Sequence, residues 1–148
     1  MKKVIIIAVF FSFIMLLLMG MKNNSLNENR RLQPDIKKSI IAGEKVFKKY
    51  CISCHQADGS GVPNLNPPLI NTTYVMGDKE KLIKIILNGL NEEVEIDDEV
   101  FANPMPALGS VLKDQQIADV LTFVRNSFGN KASAITANEV KAVRSEKK

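Results

Sequence analysis

The chain has 148 residues, 45% of them hydrophobic but only 6% aromatic, with no tryptophan and a formal net charge of +4. That is one domain plus extra segments, with little aromatic surface from which to build a core unaided. Lys2, Lys3 and Lys22 flank the first segment and account for most of the charge; no basic patch with interleaved aromatics follows, which excludes a nucleic-acid partner.

Residues 1–22 contain an unbroken apolar run, VIIIAVFFSFIMLLLMGM, from Val4 to Met21. As a helix it would be about 27 Å long, close to the hydrocarbon thickness of a bilayer. The lysine pair before it favours a cytoplasmic N-terminus. A cleaved secretory signal is the alternative, but such signals have shorter apolar regions and an A-x-A-like site, and none follows here. No cysteine stands near its end for lipid attachment. The expectation is a single-pass anchor in the cytoplasmic membrane, with the remainder facing the periplasm or cell exterior. Cleavage would instead leave a soluble periplasmic protein. Residues 23–34 are polar and aperiodic, and read as a tether.

Pro34 and Asp35 suit the first turn of a helix. Ile36, Ile40, Gly43, Phe47 and Cys51 then recur at helical spacing. Lys37, Lys38, Lys45, Lys48 and Lys49 give that helix a basic face, which is either simply solvated or a docking surface for an acidic partner.

The helix runs into Cys51-Ile52-Ser53-Cys54-His55. This CxxCH is the pattern of c-type haem attachment. Two thiols three positions apart can each add to one vinyl group of a porphyrin, and the next residue supplies an imidazole for the iron. The chain has two cysteines and one histidine, all within this pentapeptide. A thioredoxin-like CxxC expects a βαβ setting, whereas a helical pattern precedes this one. A zinc site wants about four ligands, and only three crowded ones are present. A disulfide between Cys51 and Cys54 would close a very small, strained loop. A haem would also supply the apolar mass that the composition lacks.

Residues 56–63 are turn-rich, and Asn66-Pro67-Pro68-Leu69 follows. Asp78 can cap a helix over 79–88, with Leu82, Ile83, Ile85, Ile86 and Leu87 apolar and Gly89 as its stop. Six acids fall within Glu92–Glu99, read as a solvated loop or as a determinant of partner choice. Asn103-Pro104-Met105-Pro106 cannot be regular helix, because two prolines bracket the methionine. A stiff extended loop of this kind would present a thioether in a fixed direction, and Met/His ligation raises a haem's reduction potential. Outside the first segment the methionines are Met76 and Met105, and each is a candidate ligand; the alternative for a lone Met is a gap-filler in the core. Asp114 can cap a last helix over 115–128, with Ile117, Val120, Leu121, Val124 and Phe128 on its apolar face and Gly129 ending it. In the tail, residues 130–148, Thr136-Ala137-Asn138-Glu139 reads as a capping box before a short helix, with Arg144 onward frayed.

GEKVFKKYCISCH, QADGSGVPNLNPPL, NPMPALG and DQQIADVLTFVRN together resemble a class I cytochrome c over residues 35–129. The resemblance implies an all-α fold of three main helices and loops wrapped around one covalent haem c, here with an added N-terminal membrane helix. It implies thioether attachment at Cys51 and Cys54, with His55 and Met105 as the axial iron ligands. It also implies a proline carbonyl, at Pro67 or alternatively Pro68, that accepts from the His55 ring, and Leu69 packed on the haem. Gly43 and Phe47 would cross the last helix at Val120 and Phe123.

With both axial positions filled by protein, no iron site is left for a small-molecule substrate, and no other histidine is available for acid–base work. The expected function is one-electron transfer between redox partner proteins, in an exported respiratory or dehydrogenase-linked chain, by a protein that is not itself an enzyme. The alternatives are a dedicated haem subunit of a periplasmic dehydrogenase or oxidase complex, and a haem sensor or gas-binding protein.

Overall fold

The computed structural model describes residues 36–146. The expected membrane helix and tether lie outside them, as do Pro34 and Asp35. The described chain forms six helices and one hairpin: α1 Ile36–Tyr50, α2 Ile52–His55, α3 Thr73–Met76, α4 Lys79–Asn88, β1 Val94–Ile96, β2 Glu99–Phe101, α5 Asp114–Val124 and α6 Ala137–Ser145.

The main helix pair is α1 against α5. They approach so closely at Gly43 that a Cβ there would lie 2.0 Å from the Asp119 carbonyl oxygen and 2.7 Å from Phe123 Cβ. Only glycine allows that contact. One turn earlier, Ser39 Oγ donates to Asp119 Oδ1 at 2.6 Å, across 80 residues of sequence. One turn later, Phe47 stacks at 5.3 Å from Phe123 and 5.4 Å from Phe128, separations typical of favourable tilted aromatic pairs. The buried stripe of α1 is therefore Ser39, Gly43, Val46 and Phe47. Ile36 is exposed, so the apolar face begins with a serine rather than with the isoleucine that the periodicity predicts.

The α4 helix follows its own signals. Asp78 accepts from Lys81 N at 2.7 Å, and Leu82, Ile83, Ile86 and Leu87 are buried. The helix ends at Asn88, with Gly89 N–H bonded to Ile85 O.

Three expectations are corrected. The acidic stretch is not a loop. Val94 and Ile96 are buried on either side of exposed Glu95, the alternation that half-buries a strand. Asp97 and Asp98 turn the chain with φ of 52° and 63°, the mirror-image turn that suits hairpin twist. The described fold is thus helical with one small antiparallel hairpin, not purely α. Second, α5 starts at Asp114, with Lys113 as the capping residue, and stops at Val124. The main chain of Arg125 is still helical, its N–H bonded to Leu121 O at 2.9 Å, while its guanidinium donates to the carbonyls of Val75, Gly77 and Ser133, and Phe128 turns back into the aromatic cluster with φ 57°. Third, Arg144 is not frayed. It bonds Asp114 at 2.6 Å and also reaches the Gly109 and Leu112 carbonyls.

The tail belongs to the core. Thr136 caps α6 reciprocally with Glu139, Ile135 and Val140 are fully buried, and α6 packs on both α4 and α5.

Candidate functional site

Cys51 continues α1, its N–H bonded to Phe47 O at 2.9 Å. Cys54 N and His55 N then both donate to Cys51 O, at 3.1 and 3.0 Å, closing the single turn α2. Positions three and four apart share a helix face, so this turn presents both thiols and the imidazole together. The two cysteines are free thiols. Gln56, with φ 61°, ends the turn and sends the chain into the loop beyond.

That loop returns to the histidine. His55 Nδ1 lies 3.0 Å from the Pro67 carbonyl oxygen; no such contact involves Pro68. A carbonyl only accepts, so Nδ1 carries the proton, and in the neutral ring Nε2 keeps its lone pair. Nε2 has no partner among the described residues. Burial lowers the His55 pKa, and the Pro67 bond opposes that shift in part. The net result favours the neutral ring, which is the metal-binding form.

Met105 is held from the other end of the chain. Its N–H donates to Leu90 O at 2.8 Å, and Leu90 N–H donates back to Met105 O at 2.9 Å. Leu108 and Gly109 N–H groups cap the Ile86 and Leu87 carbonyls of α4. These are helix-end acceptors that would otherwise lack partners, so the α4 terminus is the anchor for the methionine loop.

Cys51, Cys54, His55 and Met105 line one cavity of about 230 Å³, together with Pro67, Pro68 and Leu69. Its remaining walls come largely from apolar side chains such as Leu82, Ile86, Val120 and Leu121. Met76 ends α3 and packs against the core but does not line the cavity. Four soft or nitrogen donors facing one apolar chamber fit a covalently held haem. The donor set fits nothing else as well. Burial, then the neighbouring Cys54, pushes the Cys51 thiol up to about 11. Activated CxxC oxidoreductases need the opposite shift. Among the described residues no cluster of three or more His, Cys, Asp or Glu side chains is placed to hold a metal ion.

Two features of the site were missing from the sequence reading. Val94, Ile96 and Phe101 of the hairpin form part of the cavity wall; the V-E-I alternation was the available signal. Asn66 and Asn103 also line it and bond to each other, a pairing no local pattern announces.

The cytochrome c family model matches residues 40–128. The chain is 32% identical over 114 residues to cytochrome c-552 of Thermus thermophilus, covering 71% of this chain and 86% of that protein. It is 37% identical over 107 residues to the gluconate 2-dehydrogenase cytochrome c subunit of Pantoea cypripedii, and 36% over 106 residues to the cytochrome c subunit of the quinone-dependent alcohol dehydrogenase of Gluconacetobacter polyoxogenes. The matches cover 70% of this chain but only 24% and 22% of those two subunits. The chain belongs to the cytochrome c family. Membership implies a covalently attached c-type haem and an electron-transfer role.

Proposed function

We propose that this chain is a class I electron carrier with one haem, held by thioether bonds from Cys51 and Cys54, with His55 and Met105 as axial ligands. The observation that carries this reading is that the chain's single histidine, its Nδ1 engaged by Pro67, opens onto the same cavity as Met105 in its proline-bracketed loop. When bound, the haem supplies one electron by cycling between ferrous and ferric iron. The residues do the rest. Pro67 orients the imidazole and raises its basicity. The Leu90 bridge fixes the thioether's backbone, and the apolar wall excludes water, which together with the ligand pair sets the potential. With His55 and Met105 both holding the haem iron, no position on it would be left for a substrate, and the chemistry supplied would be passage of an electron to a protein partner.

The second reading is a dedicated subunit of a dehydrogenase complex. The names of the Pantoea and Gluconacetobacter relatives favour it, whereas the 86% coverage of cytochrome c-552 favours a self-contained carrier. The apolar run at 4–21 supports tethering to the cytoplasmic membrane with the haem domain outside.

The test is purification of the holoprotein from membranes under mild detergent. Intact mass should show one haem on one chain, and the ferrous protein should resist CO. M105A should bind CO and have a lower reduction potential. Ready CO binding by the native protein, or an unchanged potential in M105A, overturns the carrier reading. A dehydrogenase co-purifying in fixed ratio decides for the subunit.

A further inference from the structure

The two loops that carry the expected ligands are tied to each other. Asn103 Nδ2 donates to Asn66 Oδ1 at 2.7 Å. Asn66 immediately precedes Pro67, whose carbonyl engages His55. Asn103 precedes Met105 by two residues, with only Pro104 between them. Asn66 is stiffly mounted: it is 8% exposed, and its backbone exchanges both hydrogen bonds with Val62, at 2.8 and 2.9 Å. Pro104 has a locked φ, so a displacement at Asn103 passes to Met105 rather than dissipating. A second tie lies alongside: Asn64 N–H donates to Glu99 Oε1 of β2 at 2.6 Å.

The other anchors of Met105 all run to α4 and its end, through Leu90, Ile86 and Leu87. They fix the loop to the helix beneath it but not to the histidine side of the cavity. The Asn66–Asn103 bond supplies that missing constraint.

The geometry points to Asn66 and Asn103 as a positioning pair that keeps Met105 on the iron by clasping the methionine loop to the histidine loop. This rests on Met105 being the ligand, as argued above. A thioether is a weaker ligand for ferric than for ferrous iron, so the clasp matters most in the oxidised protein. There a freed loop lets an outside ligand in.

The experiment uses the full-length holoprotein with N66A, N103A, the double variant, N103D and M105A. The readouts are the near-infrared methionine-to-iron charge-transfer band of the ferric state, the pH at which that band is lost, and the rate of imidazole binding. N66A and N103A should each speed imidazole binding by about three- to tenfold, the scale of one hydrogen bond, and lower the pH of band loss. The double variant should be no worse than the more affected single, because the two residues act as one unit. N103D should restore near-native rates, since Asn66 can turn its amide to donate to a carboxylate. Native rates in N103A, or additive effects in the double, overturn the clasp. If N66A fails to take up haem, N103A, on an exposed loop, carries the test alone. If M105A itself keeps the band, the ligand assignment has failed rather than the clasp.

Discussion

Gly61 makes room for the Pro67 carbonyl. A Cβ on Gly61 would stand 2.7 Å from the Pro67 oxygen and 2.3 Å from the Asn66 oxygen, and Gly61 has φ 69°, where side chains are strained. The same Pro67 oxygen is the acceptor for His55 Nδ1. G61A should therefore act on the iron by displacing that carbonyl, from a residue whose own N–H donates to the His55 main-chain oxygen at 3.1 Å. Pushing the carbonyl away weakens its bond to the imidazole and makes the ring a poorer donor to ferric iron. The reduction potential should rise, and stability should fall by about 2 kcal/mol. Voltammetry together with denaturant unfolding checks both; an unchanged potential would mean that the carbonyl does not tune the ligand.

The α1–α5 crossing gives a prediction about the fold rather than the haem. In G43A the added methyl meets the main chain of Asp119 and the base of Phe123, neither of which can rotate away. The helices must separate, at a cost of about 3 kcal/mol, or roughly 15 °C in melting temperature for a domain of this size. S39A removes the hydroxyl but leaves Asp119 bonded to Gln115 at 2.9 Å, so it should cost only about 1 kcal/mol. A G43A protein as stable as the native one would show that the helices do not cross at this point.

Thr122 secures the tail. Its fully buried hydroxyl donates to Ile135 O at 3.1 Å and accepts from Ile135 N at 3.0 Å. T122V keeps the shape and strands both backbone groups, so it should cost about 2 kcal/mol. T122S keeps the bonds and should cost about 1 kcal/mol for the lost methyl. The order of the two variants in urea is the measurement, and T122V should also expose residues after 130 to protease.

Acid should loosen α6. Burial alone would raise the Glu139 pKa, but the Lys79 ammonium and the Thr136 bonds outweigh it, and the group sits below its usual 4.5. A carboxylate with a depressed folded pKa stabilises the native state above that usual value, and the contribution is lost as pH falls through the folded one. In E139Q the urea midpoint should lie below the native one at pH 7 and converge with it as the pH drops below 4.5. The side chain is 39% exposed, so the difference should stay under about 1 kcal/mol. Parallel curves at all pH values would remove Glu139 from the acid response.

The parts of the molecule that were legible beforehand are those whose physics is local. Asp78 and Thr136 cap their helices with side chains that reach only three residues ahead, so the sequence spacing is already the geometry. The hairpin was obscured because its outward residues are acidic and its strands are three residues long. Charge density outweighed an alternation too short to stand out. The early end of α5 had no local signal at all, since the Arg125 guanidinium bonds the carbonyls of Val75 and Gly77, about fifty residues away in sequence, and Phe128 turns at positive φ to join Phe47.

The haem motif followed from the sequence by itself, because covalent attachment requires two thiols and an imidazole within one helical turn, and Cys51, Cys54 and His55 are consecutive enough to guarantee it. The proline bracket likewise excluded a helix at Met105, because proline cannot donate to one. The resemblance had already named Met105 over Met76 and Pro67 ahead of Pro68; the tertiary structure shows Met105 lining the cavity, Pro67 against the imidazole and, with no forewarning in the sequence, Asn66 meeting Asn103. Those facts depend on where two loops lie after α1 and α5 have packed, and contacts between residues tens of positions apart leave no period in the sequence.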